Sequence, residues 1–166
     1  MTQLAEEGQE QIFDATPYLK LCIDKDGRWF QNGAEIIHPE IYRMFNQMLV
    51  KTSDGGYQVK MGREVCSVEV EDAPFVVMQV AEDGHGRIFI ALNDGTQEVF
   101  DPRHCWIGDK NVPYCRVKNG SFHAMFSRPA YYQLAEHITS DADGKEFFFL
   151  VGEARIPVRR ASSAET

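Results

Sequence analysis

Two stretches of this chain follow one plan, and Pro39 and Pro129, Tyr42 and Tyr132, Met44 and Leu134, and Met48 and Ile138 fall at one offset of ninety. In the first, Asp26-Gly27 divides two apolar runs, and Pro39 then opens the amphipathic series Ile41, Met44, Phe45, Met48, Leu49. In the second, Asn119-Gly120 divides Cys115–Val117 from Phe122–Phe126, and Pro129 opens Tyr131, Leu134, Ala135, Ile138. Asp-Gly and Asn-Gly mark tight turns between strands, and Pro is favoured in the first turn of a helix. The pattern therefore predicts a β-hairpin–helix–strand motif written twice. The expected fold is α+β, two related halves with a helix packed on antiparallel sheet in each.

The turns set the register. A three-residue loop ending at Gly27 places Ile23 opposite Trp29 and keeps one apolar face, whereas a two-residue turn at Asn119-Gly120 places Val117 opposite Phe122. Between the copies, the runs 57–61, 65–70, 75–80, 87–92 and 96–100 alternate with turn-rich segments and read as an antiparallel meander. Residues 101–112 contain Pro102, Trp106, Gly108 and Asn111 without clear period and read as a loop; 146–151 and 153–158 read as closing strands. The expected division is a flexible segment 1–16 with a frayed helix near Glu6–Phe13, halves at 17–73 and 74–159, and a flexible tail 160–166.

A length of 166 residues with 43% hydrophobic content supports a core without covalent staples. The four cysteines, Cys22, Cys66, Cys105 and Cys115, form no Cys-x-x-Cys pair, and the start of the chain lacks the basic and apolar regions of a secretion signal. The expectation is a cytoplasmic protein with no membrane span. A formal charge of −8 argues against nucleic acid as partner, because phosphate binding needs clustered cations.

Several blocks then carry a resemblance. Asp26-Gly27-Arg28-Trp29, Asn32-Gly33, Asp54-Gly55, Val70-Glu71-Asp72-Ala73-Pro74-Phe75, Val112-Pro113-Tyr114 with Val117 and Gly120, and Arg128 with Tyr131-Tyr132 and Leu134 resemble, in order and spacing, the bacterial domain-of-unknown-function family 1285. The resemblance spans about residues 18–158. It implies a two-part fold of repeated α+β motifs and no established activity; a signalling or ligand-sensing role is conjectured for such proteins. Family members often carry Gly-Arg before the first helix, where this chain has Ile37-His38-Pro39, so the second half is the better place for a site.

Chemical motifs are sparse. There is no P-loop, nucleophile elbow or His-Glu-x-x-His. His104, Cys105, Cys115 and His123 are ligand types for zinc, but their spacing is irregular and Cys115 shares a strand face with Val117; no metal and no cofactor are expected. A hydrolase would use Cys105 or Ser127 with His104 or His123 as base and Asp101 as orienter, or the carboxylates Glu71 and Asp72. The strongest constellation follows from the second hairpin. Pairing Val117 with Phe122 sets Arg116 opposite His123 and Tyr114 opposite Met125, so a cation, a titratable ring and an aromatic share the face opposite the apolar one. Tyr114, Arg116 and His123, with Glu71 and Asp72 at the junction, are the candidate ligand-binding residues. The expected function is a non-catalytic binding or regulatory module for a small anionic ligand or an acidic protein segment. The alternatives are the small hydrolase and a protein-interaction scaffold with open sheet edges. Oligomeric state is not assigned.

Overall fold

The computed structural model describes residues 11–161. The described chain enters the fold at β1 (Phe13–Asp14), which pairs in parallel with Glu64 and Val65. Asp24 then organises the first hairpin. Its carboxylate accepts the N–H groups of Asp26 and Arg28, each at 2.9 Å, and the Arg28 guanidinium at 2.8 Å. Gly27 closes this three-residue loop at φ +79°, a conformation that costs glycine nothing. A side chain there would also place its Cβ 2.2 Å from Cγ2 of Val76. The loop joins β2 (Leu21–Ile23) to β3 (Trp29–Gln31) with Ile23 opposite Trp29, the register expected from the apolar alternation.

The first sheet continues through β4 (Ala34–Glu35), α1 (Pro39–Met48), β5 (Leu49–Lys51), β6 (Tyr57–Met61) and β7 (Glu64–Val70). Its order is β4-β3-β2-β7-β6-β5, with β2 and β7 parallel at the centre. The second sheet contains β8 (Phe75–Glu82), β9 (Ile88–Leu92), β10 (Gln97–Val99), β11 (Cys105–Ile107), β12 (Pro113–Val117) and β13 (Phe122–Phe126) in the order β10-β9-β8-β13-β12-β11. Strand for strand this is the first order again, with β8 and β13 as the central parallel pair. The likeness extends to a turn. Asp83 accepts the N–H groups of His85 and Arg87 at 2.9 and 3.1 Å and the Arg87 guanidinium at 2.8 Å, as Asp24 does in the first hairpin.

The two helices do not share this correspondence. α1 connects β4 to β5, whereas the matching link from β10 to β11 is a 3-10 turn, Pro102–His104, capped by the Asp101 carboxylate on Arg103 N at 3.0 Å. α2 (Arg128–Ala135) instead follows β13. The repeat read from the sequence thus matches the β2–β3 hairpin with β12–β13, which stands where β6–β7 stands in the first sheet. The expected packing stripes also change. Phe45 and Asn46 are the buried residues of α1, while Ile41 and Met44 are 42% and 45% exposed. In α2, Ala130 and Leu134 are buried, and Tyr131 and Ala135 face outward. Each helix seats on a narrow line fixed by a polar anchor: Asn46 accepts Trp29 Nε1 at 2.7 Å, and Gln133 accepts Val80 N at 2.7 Å.

Other boundaries differ from expectation. β7 and β8 lie in separate sheets, so the five central strands are not one meander. The segment expected as a loop holds β11, short enough to show no period. Ile138 belongs to β14 (Ile138–Ser140), which with β15 (Phe147–Val151) and β16 (Ala154–Pro157) makes a third, antiparallel sheet. Arg159–Arg160 forms β17, parallel to β11; of the helix expected near Glu6–Phe13, Gln11 and Ile12 have no regular structure and Phe13 lies in a strand, and its earlier part lies outside the described residues. The fold is mixed, mostly sheet, with predominantly antiparallel pairing.

One core spans both large sheets. Leu21, Ile23, Trp29, Val59 and Cys66 join Phe75, Ile88, Ile90, Cys115, Val117 and Phe149, all 2% exposed or less. Phe122 links the two sides, stacking on Tyr57 at 6.1 Å and meeting Phe75 edge-on at 5.1 Å. Asn46 and Asn93 carry polar contacts across the same boundary: Asn46 Nδ2 donates to Asn93 O at 3.3 Å, and Asn93 Nδ2 to the Tyr42 hydroxyl at 2.9 Å.

Candidate ligand-binding site

The β12–β13 hairpin turns at Lys118–Ser121, with Ser121 N donating to Lys118 O at 3.1 Å. Val117 pairs with Phe122, Arg116 with His123 and Tyr114 with Met125, the register that Asn119-Gly120 predicts. Cys115 and Val117 enter the core, so Tyr114, Arg116 and His123 share the other face. That face is partly covered. Segment 71–74 crosses it on the way between the sheets, and Met125 packs with Ala73 and Val76 in a second small cluster.

Asp72 fastens this cover. Its carboxylate accepts the Tyr114 hydroxyl at 2.6 Å, and its carbonyl lies 3.2 Å from His123 Nε2. A carbonyl only accepts, so Nε2 carries the proton in the neutral ring. Burial pushes the His123 pKa below its ordinary value against the opposing pull of that hydrogen bond, and burial together with Asp72 raises that of Tyr114. Glu71 goes elsewhere: its carboxylate accepts Lys25 N at 3.1 Å.

Arg116 is the exposed member. Its guanidinium sits 5.8 Å from the Trp106 ring centre, and Trp106 stacks on Tyr114 at 5.8 Å with planes 13° apart. Close approach to Tyr114 requires Gly108, where a Cβ would fall 2.7 Å from the ring. Among the described residues no carboxylate pairs with Arg116. Trp106 lies in the segment expected as a loop; the apolar Cys105-Trp106-Ile107 run ahead of Gly108 is the signal for it in the sequence.

Arg116 also borders an open groove of about 790 Å³, lined by Thr96–Val99, Asp101, His104, Lys118, Asn119 and Gly120. Most of its charges are already engaged. Lys118 pairs with Asp94, whose side chain is 3% exposed. Burial alone would raise the Asp94 pKa, but bonds from Lys118 and Thr96 hold it below the usual carboxylate value. Asp101 binds the Arg103 guanidinium at 2.8 Å and lies 3.6 Å from His104 Nδ1, and Glu98 accepts Lys118 N at 3.2 Å.

The proposed nucleophiles are poorly placed. Cys105 and Cys115 face each other across β11 and β12, both 1% exposed. Burial pushes the Cys105 thiol up to about 12, against the pull of Arg159, and raises Cys115 well above its ordinary value. The Ser127 hydroxyl accepts Ala130 N at 3.4 Å as the cap of α2. Among the described residues no hydrogen bond joins His104 or His123 to either thiol, and no group of three or more His, Cys, Asp or Glu side chains is arranged to hold a metal ion.

Comparison with known proteins bears on the whole arrangement. Residues 13–73 match the N-terminal domain of a domain-of-unknown-function family, DUF1285. The fold of a DUF1285 family protein from Silicibacter pomeroyi DSS-3 is similar, with a TM-score of 0.66 and 22% identity over 89% of this chain and 84% of that one. A DUF1285 family protein from Shewanella baltica OS155 gives a TM-score of 0.61 and 20% identity over 73% of this chain and 94% of that one. No curated protein matches the sequence. The DUF1285 resemblance read from the sequence is thus shown, and the candidate site lies beyond the matched N-terminal domain, apart from Glu71 and Asp72 within it.

Proposed function

We propose that this chain is a non-catalytic binding or regulatory module, cytoplasmic, with halves at 17–73 and 74–159, that holds a small anionic ligand or an acidic protein segment at Arg116. One observation carries the reading. Arg116 presents an exposed guanidinium against the face of Trp106 beside a groove, with no carboxylate neutralising it among the described residues. Stacking orients the planar fork while leaving its N–H donors available for a bidentate contact to an oxyanion. Tyr114, His123 and Asp72 serve as the support: their hydrogen bonds fix the surface on which Trp106 lies. The hydrolase alternative has no comparable support, because its thiols are buried and protonated at neutral pH and its hydroxyl caps a helix.

Isothermal titration with succinate and with inorganic phosphate tests the reading at low ionic strength. Saturable binding that Arg116→Ala weakens at least about tenfold, with folding intact, supports it; loss of a charge-assisted bidentate contact predicts that scale. Binding unaffected by Arg116→Ala would remove the site from consideration.

A further inference from the structure

The groove beside Arg116 has a second wall, and that wall is an open strand edge. Among the described residues β10 pairs only with β9. Leu92 N donates to Thr96 O at 2.9 Å and Phe100 N to Ile88 O at 2.8 Å, which fixes the phase of the ladder. Residues 96, 98 and 100 therefore turn their backbone groups toward β9, and the intervening Gln97 and Val99 turn their N–H and C=O groups away from it. Both residues line the groove and are exposed, Val99 at 55%. The first sheet differs at the matching place, since the link after β4 is the ten-residue α1 and the link after β10 is only the Pro102–His104 turn.

We infer that the groove accepts an extended peptide segment as an added strand along β10, with one carboxylate side chain of that segment bound by Arg116. This rests on the anion-binding reading and names its ligand class. An added strand satisfies the outward backbone groups of Gln97 and Val99, and its alternate side chains project at the two-residue period that lets one reach across to the guanidinium. Charge selects the occupant. Lys118 is held by Asp94, Asp101 by Arg103, and Glu98 by the Lys118 amide, which leaves Arg116 as the cation to be matched. Because Glu98 and Asp101 also line the groove, the match is a single carboxylate and not a polyacidic run.

The probe is a synthetic pool of acetylated, amidated heptapeptides with Glu or Asp at the centre and Thr, Val, Ile or Gln elsewhere, measured by fluorescence anisotropy beside a succinate titration. Members should bind with Kd below about 1 mM. Arg116→Ala, or Gln at the peptide centre, should weaken them at least about tenfold. N-methylating alternate peptide amides should abolish binding in one phase and spare it in the other. Val99→Pro should abolish it too, since Val99 N–H takes no part in the β9 ladder and proline is tolerated on an edge. Arg116-dependent succinate binding with no peptide bound below that limit would overturn strand addition and leave the anion reading standing. So would peptide binding indifferent to N-methylation and to Val99→Pro. Failure of succinate and peptides alike would remove both. A dimer in sedimentation that Val99→Pro dissolves would show that the edge takes a second copy of this chain, which overturns the peptide assignment.

Discussion

The hydroxyl of Tyr114 donates to the Asp72 carboxylate at 2.6 Å, so the segment joining the two large sheets is tied to the outer face of the second. Tyr114→Phe removes the donor and leaves a half-buried carboxylate short of one partner. The expected cost is about 1–2 kcal/mol, the range for a hydrogen bond to a charged group at a partly solvated site, read by urea unfolding. An unchanged midpoint would show that water replaces the hydroxyl without loss.

His123 makes stability depend on pH. Burial lowers its folded pKa below the ordinary 6.5, so near and below that value the unfolded chain binds more protons than the folded one. Stability contributed by the neutral ring is present above pH 6.5 and is lost as pH falls through 6.5 toward the folded pKa. The depressed carboxylates Asp83, Asp94 and Asp101 lose their contributions only as pH falls through folded values below 3.8. Chemical denaturation between pH 7 and pH 5 should therefore show a decline that His123→Gln flattens. A decline of equal slope in the variant would assign it to another group.

Thiol reactivity should separate the cysteines. Cys22 is only half-buried, whereas Cys66, Cys105 and Cys115 are at most 1% exposed. Short exposure of folded protein to iodoacetamide at pH 7.5 should modify Cys22 first, with Cys105 and Cys115 reacting only after denaturation, as mass spectrometry of peptides would show. Fast modification of Cys105 would revive it as a nucleophile.

Two glycines with positive φ should respond differently to alanine. Gly120, at φ +81°, has nothing within 4 Å of a built Cβ, so Gly120→Ala should cost only the backbone strain, about 1 kcal/mol. Gly27, at φ +79°, would add a collision with Val76 and should lose about 2–4 kcal/mol in all. Equal losses in thermal unfolding would mean that Val76 moves aside without strain.

Local rules carried the sequence reading as far as local causes act. Gly27 and Asn119-Gly120 were enough to set two hairpin registers, because turn length and one apolar face together admit few pairings. The helices at Pro39 and Pro129 were legible for the same reason. Their buried faces were not, since Asn46 goes inside to meet Trp29 Nε1 and Asn93 O, partners that no periodicity reveals. The repeat read from the sequence matches turns by kind, while the correspondence of the sheets runs through the Asp24 and Asp83 turns, where a shared Asp, Gly and Arg are separated by unlike residues. In the site, Arg116 opposite His123 followed from the hairpin. Trp106 did not, because β11 is three residues long and gains its place from β12 and β17. Glu71 and Asp72, adjacent in the chain, part company because one reaches Lys25 and the other Tyr114.

The pairing of β17 with β11 has a consequence for solubility. Of the two edges of the second sheet, one is the two-residue strand Arg159–Arg160, whose shortness and charge blunt it against extension by another chain. The edge at β10 has no such guard beyond its brevity and the glutamate at its centre. Strand pairing through the second sheet, if this protein is concentrated or loses charge near its isoelectric point of about 5.1, should therefore begin at β10 before β17.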